Sequence, residues 1–201
     1  MNVIFQIVIL IFSATLHEVS HGYVAYSLGD PTAKLQGRLT LNPLKHLDPF
    51  GSVILPLLMY ISTAGALVFG WAKPVPYNPY NLRGGKWGPV YVALAGPLSN
   101  LVLAIIFSLF IRFAPITLSP SFLGIIILIV VINVLLAVFN LIPIPPLDGS
   151  KLLFALLPLK ARQLEALFAR YQFLILLFVL FFGWQIIQYP VTWLTHLLLG
   201  I

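Results

Sequence analysis

The chain has 201 residues, of which 60% are hydrophobic, 8% are charged and none is cysteine. A water-soluble domain carries about a quarter Asp, Glu, Lys and Arg, so the composition excludes one and calls for a multi-pass protein, a single membrane-embedded domain over 1–201. The formal charge of +6 sits between apolar runs, which points to orientation in the lipid bilayer and not to nucleic acid; without cysteine there is no disulfide, and a metal must rely on nitrogen and oxygen.

The first apolar run, 3–28, has no preceding Lys or Arg and no small-residue cleavage site, so it is expected to be a span and not a signal peptide. A spanning helix needs about 20 residues; the runs 50–71, 88–113, 119–142 and 171–189 also qualify by length. Pro56, Gly65 and Gly70 weaken the second, and Pro74, Pro76 and Pro79 exclude helix after it. If 50–71 crossed, the bases would divide between the two sides. If it dips in and returns, every Lys and Arg except Arg112 falls on one side. The positive-inside rule favours re-entry and makes that side cytoplasmic. The expectation is an all-α integral membrane bundle of about four spans. A re-entrant segment and short extended or β elements lie between the first and second core spans. Residues 162–170 read as an interfacial turn or two, and the tail 191–201 as lying along the interface.

His17-Glu-Val-Ser-His21 carries the chemistry. On a helix, positions i and i+4 share one face, so two imidazoles can meet one metal ion, and zinc suits them. Glu18 is offset by one residue, placed to take a proton from water. Ionisable groups in a span cost on the order of 2.5 kcal/mol each unless paired, so packing explains them poorly. A third ligand is needed. Of Asp30, Asp48 and Asp148, the last follows Pro143, Pro145 and Pro146, which unwind the preceding helix. Irregular backbone at membrane depth lines protein or a wet cavity. Asp148 is therefore either the third ligand or the cap of a helix starting near Ser150, and beside HExxH the ligand is favoured. Asn100 and Asn140 are candidates for meeting the oxyanion or supporting the ligands, and equally for interhelical hydrogen bonds; Asn133 reads as packing. Lys45-His46-Leu47-Asp48-Pro49 reads as a turn and cap. Ser13, Thr15, Ser20 and Gly22 are small enough to leave water a path.

HExxH in the first span, Gly96-Pro97-Leu98-Ser99-Asn100 in a middle span and the Asn-x-x-Pro-x-Pro-x-x-Asp-Gly pattern at 140–149 together resemble the site-2 protease family, over residues from about 10 to 155. The resemblance implies an intramembrane zinc metalloprotease, a compact form without PDZ or CBS domain. It implies one Zn2+ held by His17, His21 and Asp148, and Glu18 as base. The site would lie toward the cytoplasmic side of the cell membrane in this multi-pass protein. Its partners would be a membrane-protein or membrane-peptide substrate and lipid, with a homo-oligomer left open. The unwound substrate is expected to pair with strand edges at 37–42 or 69–79. A metal-binding scaffold without activity and a small transporter are the alternatives.

Overall fold

The computed structural model describes residues 3–62, 72–114, 118–158 and 162–200. Helix α1 spans Val3–Ser27, followed by the short α2 (Thr32–Leu35), α3 (Leu55–Ser62), α4 (Gly88–Phe113), α5 (Pro120–Asn140), α6 (Gly149–Leu156), α7 (Arg162–Phe182) and α8 (Trp184–Leu199). Helical stretches at Ile4–Ser27, Gly85–Phe113, Pro120–Asn140 and Gln163–Phe182 are long and apolar enough to cross a membrane. They turn much of that apolar surface outward, where lipid and not water is the fitting solvent.

The centre of the bundle is α4, which touches α1, α5, α6 and α8. Its first half is made of small residues, with Ala93, Ala95, Gly96 and Pro97 buried. Small side chains let helix backbones approach closely when burial from water cannot drive association. Helix α5 begins where Ser119 accepts from the Phe122 N–H ahead of Pro120 at the first helical position. It ends at Asn140, because Pro143 biases its predecessor away from the helical region. Residues 13, 17 and 21 of α1 meet residues 133, 100 and 92, so α1 runs antiparallel to α4 and alongside α5.

No β-strand occurs among the described residues, which corrects the expected β elements. Residues 72–78 form an extended strap whose polar backbone is taken up by other partners. The Lys73 N–H donates to the His46 carbonyl, and the Asn78 N–H to the Asp30 carboxylate. The Lys73 and Pro74 carbonyls accept from the Arg38 guanidinium. Pro74 and Pro76 have no N–H to give, and the Val75 N–H between them donates to Glu18, which leaves the strap few donors for a ladder. Residues 37–42 are likewise turn and irregular chain, and 69–71 lie outside the described residues.

The stretch after Asp48 starts as a single π-helical segment, Pro49–Ile54, and continues as α3; the half that would return, 63–71, lies outside the described residues. Asp48 caps this segment through the Phe50 and Gly51 N–H groups, and His46 is buried with Nε2 donating to the Thr40 carbonyl. Both therefore serve a turn, as their local sequence suggests.

The C-terminal third differs from expectation. Residues 162–170 are not a separate interfacial piece but the first turns of α7, and Gly183, a poor helix former, separates α7 from α8. The tail does not lie apart along an interface. Val191, Leu194, Leu198 and Leu199 of α8 pack on buried Ala104, Val130 and Val134.

Candidate metal centre

Alternate residues of α1 from Ser13 to His21 are buried, as they are at Thr15, His17 and Val19. His17 and His21 are 6% and 8% exposed, with ring centroids 4.6 Å apart and planes at 87°. Their Nε2 atoms lie 3.1 Å and 3.4 Å from Asp148 Oδ2. The ligand-type atoms of His17, His21 and Asp148 all fall within 4.8 Å of one another.

The hydrogen bonds settle which ring nitrogens carry protons. His21 Nδ1 lies 2.7 Å from the Val92 carbonyl oxygen, which can only accept, so that nitrogen donates. His17 Nδ1 lies 2.7 Å from Asn100 Oδ1. The Asn100 amide is oriented by its own donations, from Nδ2 to Asn133 Oδ1 at 2.9 Å and to the Ser13 carbonyl at 3.3 Å. Asn133 in turn donates to Ser13 Oγ and the Ile129 carbonyl. With both Nδ1 atoms donating, a neutral imidazole at either position would point its Nε2 lone pair at Asp148. Among the described residues no hydrogen donor other than these two rings reaches the buried Oδ2. Two nitrogen lone pairs and a carboxylate oxygen facing one another call for a cation. The edges of a tetrahedron with bonds near 2.0 Å are about 3.3 Å long, so the donor set and its spacing fit zinc.

Two glycines make this convergence possible. A Cβ on Gly96 would stand 2.5 Å from His17 Cε1 and from both Nε2 atoms. A Cβ on Gly149 would meet the Leu141 carbonyl carbon at 2.5 Å, so only glycine lets the loop fold back against the end of α5. Asp148 occupies the cap position of α6 but its side chain makes no cap hydrogen bond. The capping alternative is thereby removed.

Glu18 is half-buried, and its Oε2 accepts from the Val75 N–H of the strap at 2.7 Å. Asn100 sits behind His17. Asn140 Nδ2 donates to the Leu136 carbonyl within its own helix. Three participants were not singled out from sequence as parts of a site: Asn133, the Val92 carbonyl and the Val75 N–H. A fully buried amide in an apolar helix was the available signal for Asn133; the other two are backbone groups with no sequence signature. Along the small-residue face expected to admit water, Ser13 bonds Asn133, Ser20 bonds the Leu16 carbonyl, and Gly22 faces Leu39 and Val75.

Residues 116–183, which include Asp148, match the model of peptidase family M50. YwhC of Bacillus subtilis (strain 168), named as a candidate zinc metalloprotease, is 41% identical over 177 residues, covering 81% of this chain and 74% of that protein. The chain belongs to peptidase family M50. This site-2 protease family makes it a membrane metalloprotease, and the family works with zinc. Rip2 proteins, also named as candidate zinc metalloproteases, are more distant. The one from Mycolicibacterium smegmatis is 34% identical over 145 residues, and that from Mycobacterium tuberculosis (strain H37Rv) 34% over 139 residues. The M50 chain spans about half the length of these two, 52% and 51%. No solved structure matches it significantly.

Proposed function

We propose that the chain hydrolyses peptide bonds of membrane-spanning substrates, with one zinc ion held by His17, His21 and Asp148 and with Glu18 as general base. The observation that carries this is the buried Asp148 Oδ2, facing two imidazole nitrogens and, among the described residues, no other hydrogen donor. Zinc bound there supplies a Lewis acid that makes water a competent nucleophile near neutral pH. Glu18 takes the proton of the attacking water and delivers it to the leaving amine as the C–N bond breaks. Its Oε2 is engaged by Val75, so Oε1 is the oxygen that handles the proton. Asn100 and the Val92 carbonyl hold the two rings in the tautomer that leaves Nε2 free.

Re-entry of 50–71 is part of the same proposal. The hydrogen bond from the Lys73 N–H to the His46 carbonyl brings the two ends of that excursion together, as a segment that leaves and returns on one side requires. Arg83 N–H donates to the Leu28 carbonyl, so Lys34, Arg38, Lys45, Lys73 and Arg83 gather near the C-terminal end of α1. The positive-inside rule makes that end, and the site beside it, cytoplasmic. An apolar groove of about 670 Å³ between α1, α4 and residues 39–41 offers a membrane segment a way to approach.

The test is Glu18→Gln in purified, detergent-solubilised protein. Bound zinc should stay at the parent level while cleavage of a single-span model peptide falls at least about a hundredfold, the lower scale of general-base loss. Parent-like cleavage in Glu18→Gln would remove Glu18 from the chemistry. Zinc binding without cleavage by the parent would favour the inactive scaffold.

A further inference from the structure

A cavity of about 540 Å³ opens beside the centre and is not used by the chemistry above. Tyr77 of the strap, Pro89 of α4 and Phe154 of α6 form its walls, and Lys86, Lys151 and Glu165 are the charged residues in its lining. It adjoins the metal group. Helix α6 starts at Gly149, directly after Asp148, and burial together with the Asp148 carboxylate pushes the Tyr77 hydroxyl up. Both lysines are exposed, and neither pairs with a carboxylate among the described residues. Lys86 instead lies 5.4 Å from the centroid of the Trp87 ring. The lining thus carries two ammonium groups without a carboxylate partner and one acid, around an opening within the usual size range of ligand pockets.

We infer that this cavity receives the substrate flank next to the cleaved bond and selects acidic side chains there, with Lys86 and Lys151 as the recognising groups. This rests on the protease activity proposed above. Membrane proteins commonly place Lys and Arg on their cytoplasmic flanks. The same two lysines that attract an acidic flank therefore repel the common basic one, and rejection of the wrong partner adds to selectivity. Because the lysines are solvated, the discrimination is modest and weakens with salt.

The experiment uses the full chain in detergent and two single-span peptides that differ only in the cytoplasmic flank, three acidic residues in one and three basic residues in the other. The parent should cleave the acidic peptide with a kcat/KM roughly threefold to tenfold higher, the scale of one or two solvated ion pairs. K86E/K151E should erase or reverse the preference, and E165K should widen it. Equal rates on both peptides, or a preference that both variants leave unchanged, would overturn the inference. Cleavage of neither peptide by the parent would instead overturn the protease activity on which it rests.

Discussion

Two carboxylates, one buried and one half-buried, sit in contrasting settings. Asp30, just past the end of α1, is 0% exposed and fully employed: it accepts from the Thr32 N–H and hydroxyl, the Asn78 N–H and the Asn81 amide. Asp148 sits some helix turns deeper, against His17 and His21, and among the described residues its Oδ2 meets no other hydrogen-bonding group. Burying a carboxylate is unfavourable unless donors or a cation compensate. Asp30 has donors, so it is a staple tying the strap to α1. Asp148 has two imidazole nitrogens instead, the setting that the proposed ligand role requires. Burial alone does not separate a structural acid from a functional one; the chemistry of the neighbouring atoms does.

Exchanging the two acids should therefore break different properties. Asp148→Asn should lower peptide cleavage by more than about a thousandfold, because it removes a charged ligand from a three-ligand site. Its melting temperature without metal should stay within a few degrees of the parent's. Cleavage within tenfold of the parent would contradict the assignment. Asp30→Ala should do the reverse. It strips the partner from several buried donors and should cost about 3 kcal/mol of stability, read from thermal unfolding in detergent, while the zinc content of the folded fraction is unchanged. Zinc loss at full stability would show that Asp30 acts on the centre directly.

The pH dependence sharpens the same contrast. Burial pushes the Asp30 carboxyl up, but hydrogen bonds from Thr32, Asn81 and Asn78 outweigh it and hold the group below its ordinary value of 3.8. A carboxyl depressed on folding contributes stability that is complete above the unfolded value and is lost as pH falls through the folded one. The parent should lose stability below about pH 4, and Asp30→Ala should lack that part of the acid limb.

The smallest effect concerns support for the rings. Asn100→Ala should weaken zinc binding by roughly tenfold to a hundredfold, the usual scale for a partner behind a metal-bound histidine. Asn133→Ala, one hydrogen bond further away, should weaken it less. Equal zinc affinity in the parent and Asn100→Ala, measured by competition with a chelator, would remove Asn100 from the site.

Much of this was legible in the chain because the strongest signals are local. An i, i+4 pair of histidines needs only a helix to share a face, and the helix is set by apolar length. The prolines at 143, 145 and 146 announced a break after α5, though not where Asp148 would point; that depends on Gly149 folding onto Leu141. Strand edges were expected at the strap because its prolines forbid helix. They equally remove donors from a ladder, and Arg38, Asp30 and Glu18 take several of the groups that remain. Asn133 looked like packing because nothing local ties it to residue 17; the connection passes through Asn100 on a third helix. The division of 162–199 at Gly183 was missed because one glycine weighs little against continuous apolar sequence.

Zinc X-ray absorption of the zinc-loaded Glu18→Gln protein tests the central claim most directly. It should show two imidazole nitrogens and at least one oxygen at about 2.0–2.1 Å, with one imidazole lost in His17→Ala and an altered oxygen shell in Asp148→Asn. A spectrum with fewer than two imidazoles, or one that Asp148→Asn leaves unchanged, would contradict it.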